Sequence, residues 1–455
     1  MKVLIFGLGL HGGGYAAASY FLDHGHEVRI TDLRAEEDLK NQVASLVNRG
    51  ATYSLGNHRK DDFLWADVVV KNPAIPPSHP FLKDARVVIN DFSWLFSSPW
   101  IQEVKIIAIT GTKGKTTTSA AVAHVLAHLG VEAMQCGNMG ISGFTVLKEF
   151  EDRRKQGRDL PVYLVCEFSS WQIRDTIVAL AGAMPHLEIC ALTSFYPDHL
   201  NTYESIERYM EDKLLLFGPF VKKAVIPQII ARRVRQQTGL DRKRIRPSDT
   251  TVPKELIEHP NLHSAYAILL SLGFKYREVL EALGSFTGVP HRIEAIGSLR
   301  NILFINDSAA TIPEAVHFTY GNFKLLAVHL ITGGTDKRLD PNSMVEELRQ
   351  ALSVSLLGGS FTTDKLIPLL ERENIPYFGP FDSMGAALEA SLDSALKKER
   401  ELPDLQQVIL LSPGSASFEL FDNEFDRGDQ FRTLVNLLIL AEETARTDTD
   451  GAPEP

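Results

Sequence analysis

Residues 106–118 read Ile-Ile-Ala-Ile-Thr-Gly-Thr-Lys-Gly-Lys-Thr-Thr-Thr. The apolar run 106–109 predicts a buried strand, and the pattern of 116–129 predicts a helix directly after the turn. A glycine-bracketed turn at a helix N-terminus directs backbone N–H groups and the positive end of the helix dipole at an anion. In such a loop a Lys reaches the terminal phosphates and a Thr hydroxyl binds Mg²⁺, so the stretch predicts an ATP or GTP site at Lys115 and Thr116.

This loop is a variant of the general phosphate-binding pattern. The general pattern has a Gly five residues before Gly114, whereas this chain has Ile109 there. The alternative interpretation is a chance Gly-Lys-Thr turn. The strand before the loop and the helix after it supply the context that the motif requires, which favours phosphate binding.

Composition limits the classes of protein that the chain can belong to. Its 455 residues, 44% of them hydrophobic, are enough for about three domains of roughly 150 residues each. A net charge of −10 argues against nucleic acid or an anionic membrane as a partner. No stretch reaches the roughly 18 apolar residues of a spanning helix, so we expect no membrane insertion. Three cysteines in apolar segments (Cys136, Cys166 and Cys190) predict free buried thiols and a cytoplasmic location.

Strand-like runs alternate with helical patterns along most of the chain, which is typical of parallel α/β architecture. We expect strands at 3–6, 28–32, 68–70, 87–89, 104–110, 162–167, 189–193, 224–226, 302–306, 325–332 and 408–412. We expect helices near 14–24, 36–48, 203–217 and 262–284. The predicted division is a Rossmann-like N-terminal domain (1–100), a central P-loop ATPase-like domain with a parallel sheet (101–297), a Rossmann-like C-terminal domain (298–446) and a disordered tail (447–455).

A second glycine-rich turn follows the first predicted strand. Gly7-Leu-Gly-Leu-His-Gly12 precedes a helix, and Asp32 closes the next strand about twenty residues later, which fits the dinucleotide fingerprint. The motif alone is weak, because glycines also serve strand–helix packing. It predicts recognition of a diphosphate and a ribose or base, without deciding which nucleotide binds.

Two phosphate sites in separate domains favour an enzyme that joins or transfers groups over a simple hydrolase. Further motifs sharpen this interpretation: Gly137-Asn-Met-Gly140, Cys166-Glu-Phe-Ser-Ser-Trp-Gln172, Tyr196-Pro-Asp-His-Leu-Asn201, Tyr209-Met-Glu-Asp-Lys213, Pro290-His-Arg292, Asn306-Asp-Ser308 and Ser412-Pro-Gly-Ser-Ala-Ser417. Taken together, the chain resembles the Mur ligase family over about residues 1–440. The loop Gly111-Thr-Lys-Gly-Lys-Thr116 is similar to that family's own phosphate loop.

The resemblance implies an ATP-dependent acid–amino-acid ligase of peptidoglycan synthesis. Within the family the chain is most similar to the branch that adds glutamate to UDP-N-acetylmuramoyl-L-alanine through an acyl phosphate. Such an enzyme holds a γ-phosphate, two Mg²⁺ ions and an incoming amine in line. Its expected partners are these small molecules, and we expect a monomer.

The resemblance also implies the residues that bind ATP and metal. Glu167 ends a buried strand, where an unpaired carboxylate is costly, so a metal is its natural partner. The resemblance implies that Lys213 is carbamylated. This modification converts a cationic side chain into an anionic ligand beside His199. The implied catalytic set is Lys115, Glu167, His199 and Lys213, and the metal set adds Thr116. The implied ATP contacts are Gly111, Thr112, Lys113, Gly114, Lys115, Thr116, Thr117, Asn261, Arg292 and Asp307.

Two more groups follow from the resemblance. The UDP-substrate contacts are Gly9, Leu10, His11, Asp32, Asn72, Asn138 and Ser169. The amino-acid contacts are Thr311, Lys337, Ser415 and Ser417. Glutamate ligases of the family usually carry a Lys after Asn-Asp-Ser, but this chain has Ala309. One cation near the amino-acid site is therefore missing, which leaves open the identity and handedness of the amino acid.

Other interpretations remain open from the sequence. A sibling ligase could use L-glutamate or another amino acid, and Ala309 is the reason to consider it. An ATP-hydrolysing switch or binding module would turn over ATP without any amino acid. A folate polyglutamate synthase shares the phosphate loop but lacks the Rossmann-like N-terminal domain. A nicotinamide oxidoreductase built on residues 7–12 would leave the second phosphate loop unexplained.

Overall fold

The computed structural model of the protein describes residues 1–9, 12–137, 141–196, 203–257, 260–336 and 339–450. Within these ranges, the side chains of 37, 38, 40, 41, 260, 261, 443 and 445–450 are not described. The chain divides into two compact units, Met1–Phe286 and Thr287–Pro455. No helix in the described ranges is both long and apolar enough to cross a membrane.

The first sheet contains five described strands, all parallel, in the order β3-β2-β1-β4-β5. Its elements are β1 Lys2–Phe6, α1 Gly13–Asp23, β2 Glu27–Asp32, α2 Glu36–Val47, β3 Thr52–Leu55, α3 Lys60–Trp65, β4 Val68–Lys71, β5 Val88–Ile89 and α4 Asp91–Phe96. Because β1 pairs with β2 on one side and with β4 on the other, the strand order reverses at β1. Ligands of doubly wound sheets bind at this reversal, next to the turn that follows β1.

The second sheet has six described strands, all parallel, in the order β11-β10-β9-β6-β8-β7. Its elements are β6 Lys105–Thr110, α5 Lys115–His128, β7 Ala133–Gly137, α6 Gly143–Lys155, β8 Tyr163–Glu167, α7 Ser170–Ala179, β9 Leu187–Leu192, α8 Ile206–Leu214, β10 Val221–Ile226, α9 Gln228–Thr238, β11 Ile245–Pro247, α10 Pro260–Leu272 and α11 Tyr276–Gly284. The phosphate-loop strand β6 lies between β8 and β9, so the carboxyl ends of these three strands meet at one edge.

The third sheet lies in the second unit, and its six described strands follow the order β12-β13-β17-β14-β15-β16. Its elements are β12 Glu294–Leu299, β13 Ile302–Asn306, α12 Pro313–Gly321, β14 Ala327–Thr332, α13 Val345–Gln350, β15 Ser353–Leu357, α14 Ile367–Arg372, β16 Phe378–Phe381, α15 Met384–Glu401, β17 Gln407–Leu411 and α16 Glu424–Asp450. Only β12 is antiparallel among these strands. It spans the predicted boundary at 297–298, so strand pairing assigns residues from Glu294 onward to the third sheet.

The α/β class and the parallel sheets are confirmed, as is each strand that the sequence predicts. The strands that sequence patterns miss are β3, β7, β11, β12, β15 and β16. All of these except β15 lie at a sheet edge. Edge strands are only partly covered, so they lack the continuous apolar run that marks a buried parallel strand. The three cysteines are buried and free, as expected.

Two helix predictions need correction. The predicted helix 262–284 is two helices, because Gly273 adopts a φ of 99° and ends α10. The predicted tail begins too early, since α16 continues to Asp450. Polar residues with no proline can extend an existing helix, and the first glycine and proline after Arg446 are Gly451 and Pro453. Residues 451–455 lie outside the described part of the chain.

A shared core joins the first two sheets inside the first unit. One continuous apolar cluster contains residues of β1 and β2 together with residues of β6 and β8. Across the same boundary, Lys71 at the end of β4 donates from Nζ to Asp175 Oδ2 of α7 at 2.6 Å. Burial lowers the pKa of Lys71 and raises the pKa of Asp175, so each ionised form depends on the other partner.

Breaking this pair will destabilise the protein strongly. We expect Lys71→Met to lower the free energy of unfolding by about 3–5 kcal/mol, because it leaves the Asp175 carboxylate buried without a countercharge. The double variant Lys71→Met/Asp175→Leu will recover most of that loss. Urea unfolding followed by tryptophan fluorescence measures both values.

The control for this experiment is an exposed pair in the same unit, Lys222 and Glu188, whose nearest N···O distance is 2.9 Å. Lys222→Met will change the free energy of unfolding by less than about 1 kcal/mol. A double variant as unstable as the two single changes added together contradicts the pairing.

Candidate functional site

The phosphate loop connects β6 to α5 through a crowded turn. Gly114 immediately precedes α5 with φ 82° and ψ −3°, in the left-handed region. Gly111 has φ 149°, and a Cβ added there would lie 2.1 Å from Thr193 Oγ1. Both positions therefore require glycine, and the turn brings its backbone close to the carboxyl end of β9.

Hydrogen bonds from residues after β9 fix the middle of the loop. Thr112 N donates to Ser194 O at 3.0 Å, and Lys113 N donates to Ser194 Oγ at 2.8 Å. Thr193 Oγ1 donates to Lys113 O at 2.6 Å. Tyr196 N donates to Thr112 Oγ1 at 3.2 Å. The loop conformation is thus set by a segment some eighty residues later in the chain.

Lys115 and Thr116 begin α5, as the sequence predicts. Lys115 Nζ donates to the carbonyls of Gly111 at 3.1 Å and Thr112 at 3.2 Å, so its ammonium lies over the loop. Thr116 Oγ1 donates to Glu167 Oε1 at 3.0 Å, and both side chains are buried. Hydroxyl and carboxylate oxygens are ligands that Mg²⁺ prefers, so this pair fits a Mg²⁺ ion.

Lys213 reaches the same loop from α8. Its side chain is 1% exposed, and Nζ donates to Gly111 O at 3.0 Å. Nζ also lies 4.4 Å from the ring centre of Tyr209. The structure therefore brings together Lys115, Glu167 and Lys213 of the predicted catalytic set, although nearly one hundred residues separate Lys115 from Lys213.

A second set of predicted residues lies around the turn after β1. Gly9 N donates to Asp32 Oδ2 at 3.1 Å, which holds the turn against the end of β2. Asn72 follows β4 and donates from Nδ2 to Gly7 O at 3.2 Å. A Cβ on Gly7, whose φ is 85°, would come within 2.9 Å of Asn72 Cβ. Gly9, Asp32 and Asn72 thus converge at the point where the strand order reverses.

Ser169 has a structural role that its sequence context also explains. Its hydroxyl accepts from Gln172 N at 3.3 Å, and Gln172 Oε1 accepts from Ser169 N at 3.1 Å, forming a capping box for α7. Thr117 is half-buried in the first turn of α5. Asn261 is the second residue of α10, but its side chain is not described. Four predicted site residues lie outside the described residues in the first unit, namely Leu10, His11, Asn138 and His199, and Lys337 does so in the second.

In the second unit, Asp307 follows β13 and is 5% exposed. It accepts hydrogen bonds from Thr319 Oγ1, Ile293 N and Ser412 Oγ. Burial raises the pKa of the Asp307 carboxyl to about 6, and these hydrogen bonds oppose the rise. The predicted ATP contact Arg292 is exposed in the same unit, and its charge lowers the pKa of the Asp307 carboxyl.

The predicted amino-acid contacts come from two adjacent segments after β13 and β17. Gly414 N donates to Ala310 O at 2.9 Å, which places Ser415 beside Thr311 in the fold. Ser415 and Ser417 are both buried, and Ser417 Oγ has no hydrogen-bond partner among the described residues. These carboxyl ends of parallel strands form the edge at which ligands of such sheets bind.

Sequence reasoning missed three charged residues that connect segments of the fold. Lys71 and Asp175 connect the end of β4 to α7, and Arg427 lies fully buried beneath the segments that follow β13 and β17. For Lys71 the sequence signal is a charge at the end of an apolar stretch, Val68-Val-Val-Lys71, whereas Arg427 stands among other charged residues and gives no such signal. Among the described residues no group of three or more His, Cys, Asp or Glu side chains is arranged to hold a metal ion.

Comparisons with known proteins identify the family to which this sequence is similar. The family described as "Mur ligase MurD-like, N-terminal domain" matches residues 1–88, and the "Mur ligase middle domain" matches residues 109–243. The chain is 32% identical to UDP-N-acetylmuramoylalanine–D-glutamate ligase of Borreliella afzelii, over 96% of this chain and 98% of that one. It is 29% identical to the protein of the same name from Treponema pallidum, with the same shares covered.

A solved structure shares the fold. UDP-N-acetylmuramate-alanine ligase of Thermotoga maritima superposes with a TM-score of 0.54 at 19% identity, covering 96% of this chain and 99% of that one. At this level of identity the likeness concerns the fold alone. It extends over all three sheets of the present chain.

The raised pKa of Asp307 gives a measurable titration. We expect a midpoint near pH 6, so native Asp307 binds its proton more tightly than the unfolded chain does. Stability is then lost as the pH rises from about 4 through 6, by roughly 3 kcal/mol for this group. Carboxyl ¹³C NMR, assigned with Asp307→Asn, measures the midpoint. Thr319→Val removes an opposing hydrogen bond and will raise the midpoint further, whereas a wild-type midpoint near 4 contradicts this account.

Proposed function

This chain belongs to the Mur ligase family, and on that premise we propose that it joins D-glutamate to UDP-N-acetylmuramoyl-L-alanine with hydrolysis of ATP to ADP and phosphate. The alanyl carboxylate attacks the γ-phosphorus of ATP, and ADP leaves. The glutamate amine then attacks the acyl phosphate, and phosphate leaves from the tetrahedral intermediate. The product carries a new amide bond between the alanyl carboxyl and the glutamate amine, and it is an intermediate of peptidoglycan synthesis.

One observation carries the proposal. Glu167 and Lys213 both contact the phosphate loop, Glu167 at the Thr116 hydroxyl and Lys213 at the Gly111 carbonyl. They do so in a chain that aligns over almost its whole length with relatives named as D-glutamate ligases.

Each group in the loop has a separate role in the proposal. Lys115 stabilises charge on the β- and γ-phosphates as the bond to ADP breaks. The amides of the Gly111–Gly114 turn bind the phosphates, together with Thr112, Lys113 and Thr117. The second unit contributes two nucleotide contacts to the proposal, Arg292 for the γ-phosphate and Asp307 for adenosine. The first unit contributes one more, Asn261, which completes the ATP set.

Thr116 and Glu167 would hold one Mg²⁺ ion, and His199 and Lys213 would hold a second. Bound Mg²⁺ supplies positive charge to the phosphate oxygens during transfer. An unmodified Lys213 ammonium would repel such an ion, so we include an N-carboxylysine at this position. The position of Lys213 supports this proposal, since its side chain is buried and its Nζ lies 3.0 Å from Gly111 O in the phosphate loop.

The remaining residues select the two other substrates. Gly9, Leu10, His11, Asp32 and Asn72 would bind the uridine diphosphate part, and Asn138 and Ser169 would contact the phosphate and muramoyl groups. The amino acid would meet Thr311, Lys337, Ser415 and Ser417. We further propose a monomeric protein of the cytoplasm that works on these small molecules.

The amino acid is the sharpest test, because Ala309 removes a cation that related ligases usually have. We expect phosphate release to require the uridine-linked substrate and D-glutamate together, with L-glutamate at least a hundredfold less effective. A coupled phosphate assay over both enantiomers and other D-amino acids measures this. Release that does not depend on any amino acid would indicate an ATP-hydrolysing switch, and a preference for another amino acid would indicate a sibling ligase.

Lys115→Ala will lower kcat by roughly a hundredfold or more, because the loop then loses the charge opposite the transferred phosphoryl group. We expect the fold to remain intact, because Lys115 is only half-buried and Ala favours the start of the same helix. Lys105→Ala is the matched control: Lys105 is exposed at the opposite end of the same strand. Full turnover in the Lys115 variant would falsify the assignment.

A further inference from the structure

Arg427 lies on α16 with none of its surface exposed, and it is the largest fully buried side chain of the described residues. Its guanidinium donates five hydrogen bonds. Nε donates to Ser308 Oγ at 3.0 Å, and Nη2 donates to Ser308 O at 2.9 Å and to Ser415 O at 3.2 Å. Nη1 donates to Ser415 O and to Ala416 O, each at 3.2 Å. Every donor direction of the fork is therefore used.

All of these acceptors are neutral. Among the described residues Arg427 forms no ion pair with a carboxylate, whereas Arg432 on the same helix pairs with Glu294 at 2.9 Å. Burial lowers the pKa of Arg427 to about 9, so the guanidinium still carries its charge at neutral pH. The charge of Glu424, three residues earlier on the same helix, offsets only part of the cost of burial, which is the larger effect on the pKa of Arg427. A chain that needed only packing here could use an apolar side chain.

The contacts of Arg427 join two segments of the sheet edge. Ser308 belongs to the segment after β13, and Ser415 and Ala416 belong to the segment after β17. Because a peptide group is planar, a carbonyl of Ala416 that faces Arg427 turns the N–H of Ser417 to the opposite side. Ser417 is also 2% exposed with a hydroxyl that has no partner in the described part of the chain. The hydroxyl of Ser417 is thus a buried polar group without a described partner, on the segment that Arg427 holds.

The charge of Arg427 also lies close to Ala309. Ala309 directly follows Ser308, whose carbonyl and hydroxyl both contact the guanidinium. Residue 309 itself provides no cation, because it is Ala. The guanidinium of Arg427 places a positive charge next to the adjacent residue, Ser308. A fixed positive charge in a medium of low dielectric acts over several ångströms.

We propose that Arg427 is a positioning residue for the amino-acid substrate. It holds the segments after β13 and β17 in register, and its charge favours binding of the amino acid's carboxylates. This inference rests on the proposed function, since it takes glutamate as the incoming substrate. The residue acts through Ser308 and the Ser415–Ser417 segment and does not touch the reacting atoms.

Steady-state kinetics of the full chain test the proposal. Arg427→Met removes the charge and the fork, and we expect KM for D-glutamate to rise at least tenfold. KM for ATP and for the uridine-linked substrate will stay within twofold, and kcat within threefold. Arg427→Lys keeps the charge with fewer donors, so its KM for D-glutamate will rise less, by about threefold. Arg349→Met is the control, because Arg349 pairs with Glu346 and Glu373 on the surface of the same unit.

A further change separates charge from packing. Ala309→Lys added to either variant will lower KM for D-glutamate at least threefold, since residue 309 is half-buried and can present a cation on the ligand side. If Arg427→Met does not fold, as judged by circular dichroism, the test uses Arg427→Lys with and without Ala309→Lys. Equal changes in all three KM values, or no response to Ala309→Lys, would overturn the proposal.

The wild-type protein distinguishes this inference from the proposed function. Phosphate release without any response to glutamate contradicts the proposed function itself. A normal response in the wild type, with Arg427 variants that behave like Arg349→Met, contradicts only the role of Arg427.

Discussion

The site depends on one backbone carbonyl, that of Gly111, which accepts hydrogen bonds from two lysines. Lys115 Nζ lies 3.1 Å from this oxygen and Lys213 Nζ lies 3.0 Å from it. The two side chains reach this oxygen from different elements, Lys115 from the start of α5 and Lys213 from α8. Gly111 itself has no room for a Cβ, which would lie 2.1 Å from Thr193 Oγ1. The placement of both lysines therefore depends on the backbone of one glycine.

The sequence predicts well what is encoded locally. The strand, turn and helix from Lys105 to His128 follow from an apolar run, two glycines and a helical pattern, and the turn after β1 follows in the same way. The order of strands in the sheets and the edge strands do not follow, because edge strands such as β7 and β16 lack a continuous apolar run. Local chemistry can also be ambiguous. The hydroxyl of Ser169 fits both a substrate contact and a helix cap, and only the coordinates show the capping box with Gln172.

Contacts between distant residues could not be predicted. Lys71 meets Asp175 at a separation of 104 residues, and Arg427 meets Ser308 at a separation of 119. No spacing rule links such positions, and a single charged residue in an apolar stretch is compatible with many partners. The same limit applies to Asp307, whose raised pKa arises from burial by segments that precede and follow it. Residues in local motifs are therefore easier to predict than buried charged residues whose partners lie far away in the sequence.

The core shared by the first two sheets has a consequence for evolution. A domain that exchanges freely between proteins has a polar boundary, so that it can be cut out without exposing apolar surface. Here the first and second sheets share apolar side chains and a buried ion pair. Recombination at this boundary would expose apolar surface on both parts and separate Lys71 from Asp175. Exchange there therefore requires compensating changes on both sides of the boundary.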